Sequence, residues 1–169
     1  MERPTDRHPP RPLTLEEMAS GSGLALFQRM IAGELPRPPI AKTLNFWLAE
    51  AEAGRVVFVG EPLPEHFNPL GTVHGGWAAT LLDSALACAV HTMLKPGQTY
   101  TSVEMKVNFD RPIMPGIGLV RCEAKTIQVG SRIGTSEARM TDAAGKLLAH
   151  GVETCLIMEL GGGRQQSAP

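Results

Sequence analysis

Residues 77–94, WAATLLDSALACAVHTML, hold one carboxylate, Asp83, among side chains that are otherwise apolar, small or uncharged. On a helical wheel of about 100° per residue, Trp77, Ala78, Leu81, Leu82, Ala85, Leu86, Ala89 and Met93 cover about half the circumference. Thr80, Ser84 and His91 gather on a narrow polar side. Asp83 is not centred there. Its angular neighbours are Ala79 and Val90 on one flank, Ala87 and Leu94 on the other. A helix apolar nearly all round is a buried helix, so the rest of the chain must enclose it. An ionised carboxylate in that setting is costly unless it has partners or a water-filled site. Two readings stand. Asp83 points into a solvent crevice or pairs with a basic group of a partner subunit, or it is a carboxylate held for general-base or nucleophilic work.

The segments around this helix read as strands. TLNFWLAEAEAGRVVFVGEP predicts two strands joined near Gly54, and a Pro- and Gly-punctuated loop follows over 62–73. After the helix, TYTSVEMKVNFD, GLVRCEAKTIQVG, RIGTSEARMTD and KLLAHGVETCLIM predict four more strands, the last after the turn DAAGK. In 100–110 the pattern alternates: Thr101, Val103, Met105, Val107 and Phe109 on one face, Ser102, Glu104, Lys106 and Asn108 on the other. Short turns between successive strands imply antiparallel pairing. One apolar helix against one antiparallel sheet is an α+β layout.

The 169 residues suffice for one domain with a short extension, and a core of that size needs neither disulfide nor metal. Residues 1–13, with four prolines, predict a disordered arm. Residues 14–39 predict a helical extension and linker. Thr14-x-x-Glu17 marks a capping box, Gly21 and Gly23 split the segment, and LPRPPI breaks it. The main domain is expected over 40–158 and a flexible tail over 159–169. A net charge of −1 gives no broad electrostatic case for nucleic acid or a membrane surface. Cys88, Cys122 and Cys155 are far apart, with no CxxC and no histidine at ligand spacing, so neither a metal nor another cofactor is expected. The odd cysteine count and an N-terminus without an apolar core predict a cytoplasmic protein. No apolar run reaches the roughly 18–20 residues of a membrane span.

Gly75 and Gly76 open the long helix. Glycine lets a ligand approach the backbone, and first-turn amides are unpaired donors at the positive end of the helix dipole. That combination suits a developing oxyanion. Asn68, just upstream, offers a side-chain amide as a second donor, and Asp83 lies about two turns further on.

NPLGTVHGGWAATLLD resembles the signature of the hotdog-fold thioesterases of the phenylacetate-degradation type, including the mammalian thioesterase-superfamily members. The spacing carries it: Asn, five residues, His-Gly-Gly, then Asp seven residues after the second Gly. The resemblance covers roughly 40–158 and includes TSVEMKVNFDRP. It implies a hotdog fold, with the sheet curled round the central helix and two subunits joining their sheets. It also implies an active site at the subunit interface of a homo-oligomer, a dimer or a dimer of dimers (a homotetramer). By the same resemblance the Gly75 N–H polarises the carbonyl of an acyl-CoA thioester and Asn68 helps to position substrate or water. Asp83, reaching across from the other subunit, is general base or nucleophile, Ser102 positions water, and His74 holds the loop. Gly76 leaves room for the substrate, Arg111 and Arg132 are candidates for the CoA phosphates, and Trp77, Phe67 and Met105 for an acyl pocket.

Each residue has a plainer reading. His74 is a helix cap, Asn68 shapes the turn before Pro69, Ser102 is a solvated serine, Arg111 and Arg132 are surface cations, and Trp77 is core. His66 and His91 are expected in surface or packing roles. A non-catalytic acyl-CoA-binding module is the alternative function, against which the pairing of Asp83 with Asn68 argues. A hotdog hydratase would need a differently spaced His and Asp pair that the sequence does not show.

Overall fold

The computed structural model describes residues 7–161. Residues 1–6 of the expected arm and 162–169 of the expected tail lie outside the described residues. The chain forms α1 (Leu15–Ala19), α2 (Gly23–Ile31), α3 (Pro39–Thr43), β1 (Phe46–Glu52) and β2 (Arg55–Gly60). The long helix α4 (Gly75–His91) follows, then β3 (Gln98–Phe109), β4 (Val120–Val129), β5 (Ile133–Thr141) and β6 (Leu147–Glu159). The six strands make one antiparallel sheet in the order β1-β2-β4-β5-β6-β3. Its concave face holds α4, as the hotdog expectation requires.

The helix is enclosed because its sequence leaves no wet face. Leu81, Leu82, Ala85, Leu86, Ala89 and Val90 have no measurable exposure. They pack on Val56, Val120, Cys122, Ala124 and Met140 from the sheet. Each fully buried leucine or valine contributes about 1.5–3 kcal/mol of transfer free energy. Among the described residues, no helix is long and apolar enough to cross a membrane.

The N-terminal segment is part of this packing. Thr14 and Glu17 form the reciprocal capping box, and Ser22 caps α2 after the break at Gly21. The Gly23 amide donates to the Leu94 carbonyl at 3.2 Å, and a Cβ there would collide with the backbone of His91. Phe27 meets the His91 ring edge-on at 5.1 Å. The LPRPPI break does not run as linker to its end. Pro38 stands at the N-cap and Pro39 opens α3, where a missing N–H costs nothing.

Strand β3 departs from the expected alternation. Ser102 sits opposite Cys155 and Glu104 opposite Thr154, so Val103 is an unpaired extra residue. Directly opposed residues share a face of the sheet. Tyr100 and Ser102 lie opposite Ile157 and Cys155, both buried, while Met105 lies opposite buried Glu153. The bulge therefore puts Ser102 on the helix-facing side with Met105, not on the outer side with Lys106. Val103 is left 57% exposed. A bulge re-aims a side chain in this way by breaking the period of two.

Candidate active site

The candidate side chains fall into two groups within one chain. The first surrounds the start of α4. His74 is the N-cap, and its Nδ1 accepts the Gly76 amide at 2.8 Å, which leaves the ring proton on Nε2. The histidine is thus the cap that the plainer reading gave it. A Cβ at Gly76 would crowd this Nδ1 at 2.9 Å, so the cap needs a glycine there. The Gly75 amide has no hydrogen-bond partner among the described residues.

Asn68 holds the loop before the cap. Its Oδ1 accepts from the Leu70 amide at 2.9 Å and the Thr72 amide at 3.3 Å, and its Nδ2 donates to Thr72 Oγ1 at 2.8 Å. This is the turn-shaping role, and it leaves the second amide hydrogen for a ligand. A cleft of about 240 Å³ opens beside the helix start, lined by His74, Gly75, Phe109, Arg111, Ile113 and Leu148. Arg111 therefore lies at the same cleft as Gly75.

The second group lies further along α4. Asp83 is half-buried within hydrogen-bonding reach of Ser102, and burial raises its pKa. Ser102, exposed at the open edge of β3, donates to Glu153 Oε1 at 2.5 Å. Glu153 itself is 2% exposed. Burial, opposed by the Ser102 hydrogen bond and reinforced by the charge of Asp83, pushes its carboxyl up to about 7. Glu153 was not singled out from the sequence. Its one signal is a charge on the inward register of β6 between Gly151 and Cys155, in a strand otherwise apolar on that face.

Trp77, Phe67 and Arg132, expected near substrate, fall outside these two groups. Trp77 is 3% exposed, stacks on His66 and donates its indole N–H to the Leu44 carbonyl at 2.8 Å. It is core, because only there does an indole bury its ring and satisfy its donor together. Phe67 is half-buried against the same core. Arg132 lies at the β4–β5 hairpin with Gln128, Ser131 and Thr135, not with Arg111. His66 and His91 are packing residues. His66 bridges the Leu63 amide and the Thr43 carbonyl, and burial lowers His91 to about 4.

A separate apolar cavity of about 260 Å³ lies between the N-terminal segment and the sheet, with Phe27, Met30, Trp47, Phe58, Cys88 and Tyr100 on its walls. Cys88, on its wall, is carried by the same helix as Asp83.

Gly75 and Asp83 are eight residues apart on one helix, about 12 Å along its axis and about 80° round it. A single carbonyl carbon cannot meet both groups of the same chain.

Sequence and structural relatives identify the family. The family model described as Thioesterase superfamily matches residues 70–149. Human acyl-coenzyme A thioesterase 13 is 32% identical over 108 residues, which is 63% of this chain and 76% of the relative. The solved structure of a phenylacetic acid degradation-related protein from Ralstonia eutropha superposes with a TM-score of 0.70 at 29% identity, covering 77% of this chain and 98% of that one. A variant of the phenylacetic acid degradation protein PaaI from Thermus thermophilus gives 0.63 at 27% identity, covering 70% and 97%. The chain belongs to the thioesterase superfamily. It is a thioester hydrolase of the PaaI-like hotdog type.

Proposed function

We propose that the protein hydrolyses acyl-CoA thioesters at a site shared by two protomers. The Gly75 amide and the spare Asn68 hydrogen of one protomer hold the carbonyl, while Asp83 and Ser102 of the other hold and activate water. The observation that carries this reading is Asp83 itself. It is a half-buried carboxylate of raised pKa whose neighbours are a hydroxyl and another acid, with no cation among the described residues to neutralise it. Such a group is suited to take a proton.

Water oxygen bonds to the carbonyl carbon as Asp83 takes a water proton. The negative charge that develops on the carbonyl oxygen is met by the Gly75 amide at the positive end of α4. Collapse breaks the C–S bond, and the proton on Asp83 goes to the departing thiolate. The products are the carboxylic acid and free CoA, and no metal or other cofactor is required.

Two features support the shared site. The axial separation of Gly75 and Asp83 requires a second copy, and β3 is an edge strand whose Val103 and Phe109 are 57% and 58% exposed. An apolar edge strand invites pairing with its own copy. Arg111 at the helix-start cleft is the candidate for a CoA phosphate. The cavity bordered by Cys88 and Tyr100 suits an aryl or medium-length acyl group, and residues 14–34 supply part of its wall.

The test is a panel of phenylacetyl-, benzoyl- and saturated acyl-CoAs assayed beside Asp83→Asn, with oligomer size measured for both. Release of CoA by the wild type, lost in the isosteric variant at unchanged size, is the expected result. Binding without turnover by both proteins would replace it with the acyl-CoA-binding module. A single turnover in labelled water separates general base from nucleophile. Label in the product acid, with none in Asp83, is expected.

A further inference from the structure

Glu153 is costly where it stands. Its Oε1 takes the Ser102 hydroxyl at 2.5 Å and a weak S–H contact from Cys155 at 3.4 Å. Its Oε2 is buried with no hydrogen-bond partner among the described residues. A carboxylate in that state works against folding, and an apolar side chain of its size would not. Natural chains keep such groups chiefly where function uses them.

We propose that Glu153 is a positioning residue for the hydrolysis, acting through Ser102. It takes the only hydroxyl hydrogen of Ser102 and so turns the serine lone pairs toward the cleft.

The proposal rests on the reading of Asp83 and Ser102 as the water-holding pair, and it follows from counting hydrogens. Ser102 has one hydrogen to give and two lone pairs to offer. If it gave that hydrogen to Asp83, the aspartate would be a poorer base and the water would lose an acceptor. With the hydrogen committed to Glu153, the attacking water donates one hydrogen to Ser102 Oγ and the other to Asp83. Its own lone pair is then free for the carbonyl carbon. Protonation of Glu153 reverses the chain. The acid O–H donates to Ser102, and the serine hydrogen turns to Asp83.

The groups facing Glu153 keep this arrangement simple. They are Asp83 and Cys88 from α4, Tyr100 and Ser102 from β3, and Cys155 from β6 itself. From β5 it meets Ser136, whose hydroxyl is spent on the Leu86 carbonyl at 2.9 Å. None of these is a cation. No opposite charge therefore competes with the Ser102 hydrogen for Glu153 Oε1.

The experiment measures kcat and KM against pH for wild type, Asp83→Asn, Ser102→Ala, Glu153→Met, Glu153→Gln and the Ser102→Ala/Glu153→Met double variant. Glu153→Met removes the acceptor. It is expected to lower kcat on the order of 10- to 100-fold, the scale of a mis-set reacting group, with KM held within about twofold. Glu153→Gln retains a carbonyl acceptor and should recover most of that loss. The double variant should be no slower than Ser102→Ala alone, because Glu153 acts only through that hydroxyl. Glu153→Met with unchanged kcat, or a loss that adds fully to that of Ser102→Ala, overturns the proposal. A wild type without turnover, or one indifferent to Asp83→Asn, sinks the hydrolase mechanism and this proposal with it. Turnover that needs Asp83 and ignores Glu153 sinks this proposal alone.

Discussion

The Ser102 hydroxyl reaches Glu153 at 2.5 Å although the strand register places Ser102 opposite Cys155 and gives Glu153 to Met105. The contact is diagonal, and it exists because Val103 is an extra residue in β3. Without the bulge Ser102 would share the outer face with Lys106, and α4 would present Asp83 to a valine.

Gly75→Pro removes the proposed oxyanion donor with little effect on the helix. Position 75 is the first helical residue, where proline is favoured, and His74 already has the extended backbone (φ −63°, ψ 134°) that a following proline requires. A Cβ at Gly75 would lie 3.4 Å from the Phe109 ring, near ordinary contact. Far-ultraviolet circular dichroism should be unchanged while kcat falls about 10²- to 10³-fold, as for loss of one oxyanion donor. Full activity in a folded Gly75→Pro protein would remove Gly75 from the mechanism.

Mixed oligomers test the shared site. Asp83→Asn and Gly75→Pro chains are each expected to be inactive alone. Half of randomly mixed dimers pair one of each, and each mixed dimer rebuilds one intact site of two, so about a quarter of wild-type activity should return. Co-expression with two different affinity tags isolates the mixed species. No recovery in it would mean that each chain works on its own.

The pH profile should show the raised Asp83 pKa. The carboxylate is the working form, so kcat/KM rises with pH and levels off only above the ordinary aspartate range. In Glu153→Gln the protonation of Glu153, centred at about 7, no longer turns the Ser102 hydrogen to Asp83, and the acid limb should move to lower pH. A limb at the ordinary aspartate value in the wild type would contradict the buried-base description.

Stability should move opposite to activity at Glu153. Its folded pKa, pushed up to about 7, lies above the unfolded value. The folded state therefore holds the proton longer, and stability present at acid pH is lost as pH rises through about 7. Glu153→Met has no such loss. Urea unfolding at pH 8 should find it more stable than wild type by roughly 1–3 kcal/mol, a difference that shrinks towards pH 5. A variant less stable than wild type at pH 8 would make Glu153 a structural residue.

Gly23→Ala tests the docking of the N-terminal segment. The added Cβ meets the His91 backbone, which cannot move aside as a side-chain tip would. The cost should be about 1–3 kcal/mol of overpacking, read as a lower Tm. Because α2 walls the apolar cavity through Phe27 and Met30, the variant should also lose preference for aryl- or medium-chain over acetyl-CoA. Unchanged chain-length preference would separate the cavity from the substrate.

The sequence by itself determined the buried helix, the succession of strands along the chain before and after it, and the capped glycine pair at its start. These follow from local chemistry: apolar periodicity, turn residues and an unpaired first-turn amide. Asp83 was legible for the same reason, as a charge in the wrong solvent. Other features depended on contacts between segments distant in the chain. Trp77 went to the core because Leu44 supplied a carbonyl for its N–H, a partner that periodicity cannot reveal. Ser102 turned inward because a single unpaired residue shifted the register, and nothing in the composition of VEMKV marks which residue will be left out. Glu153 became part of the site only when β6 lay beside that bulge, since a lone acid in a strand tells nothing of the hydroxyl opposite it. Local pattern decides which face is buried. Only the tertiary structure decides which polar groups meet there.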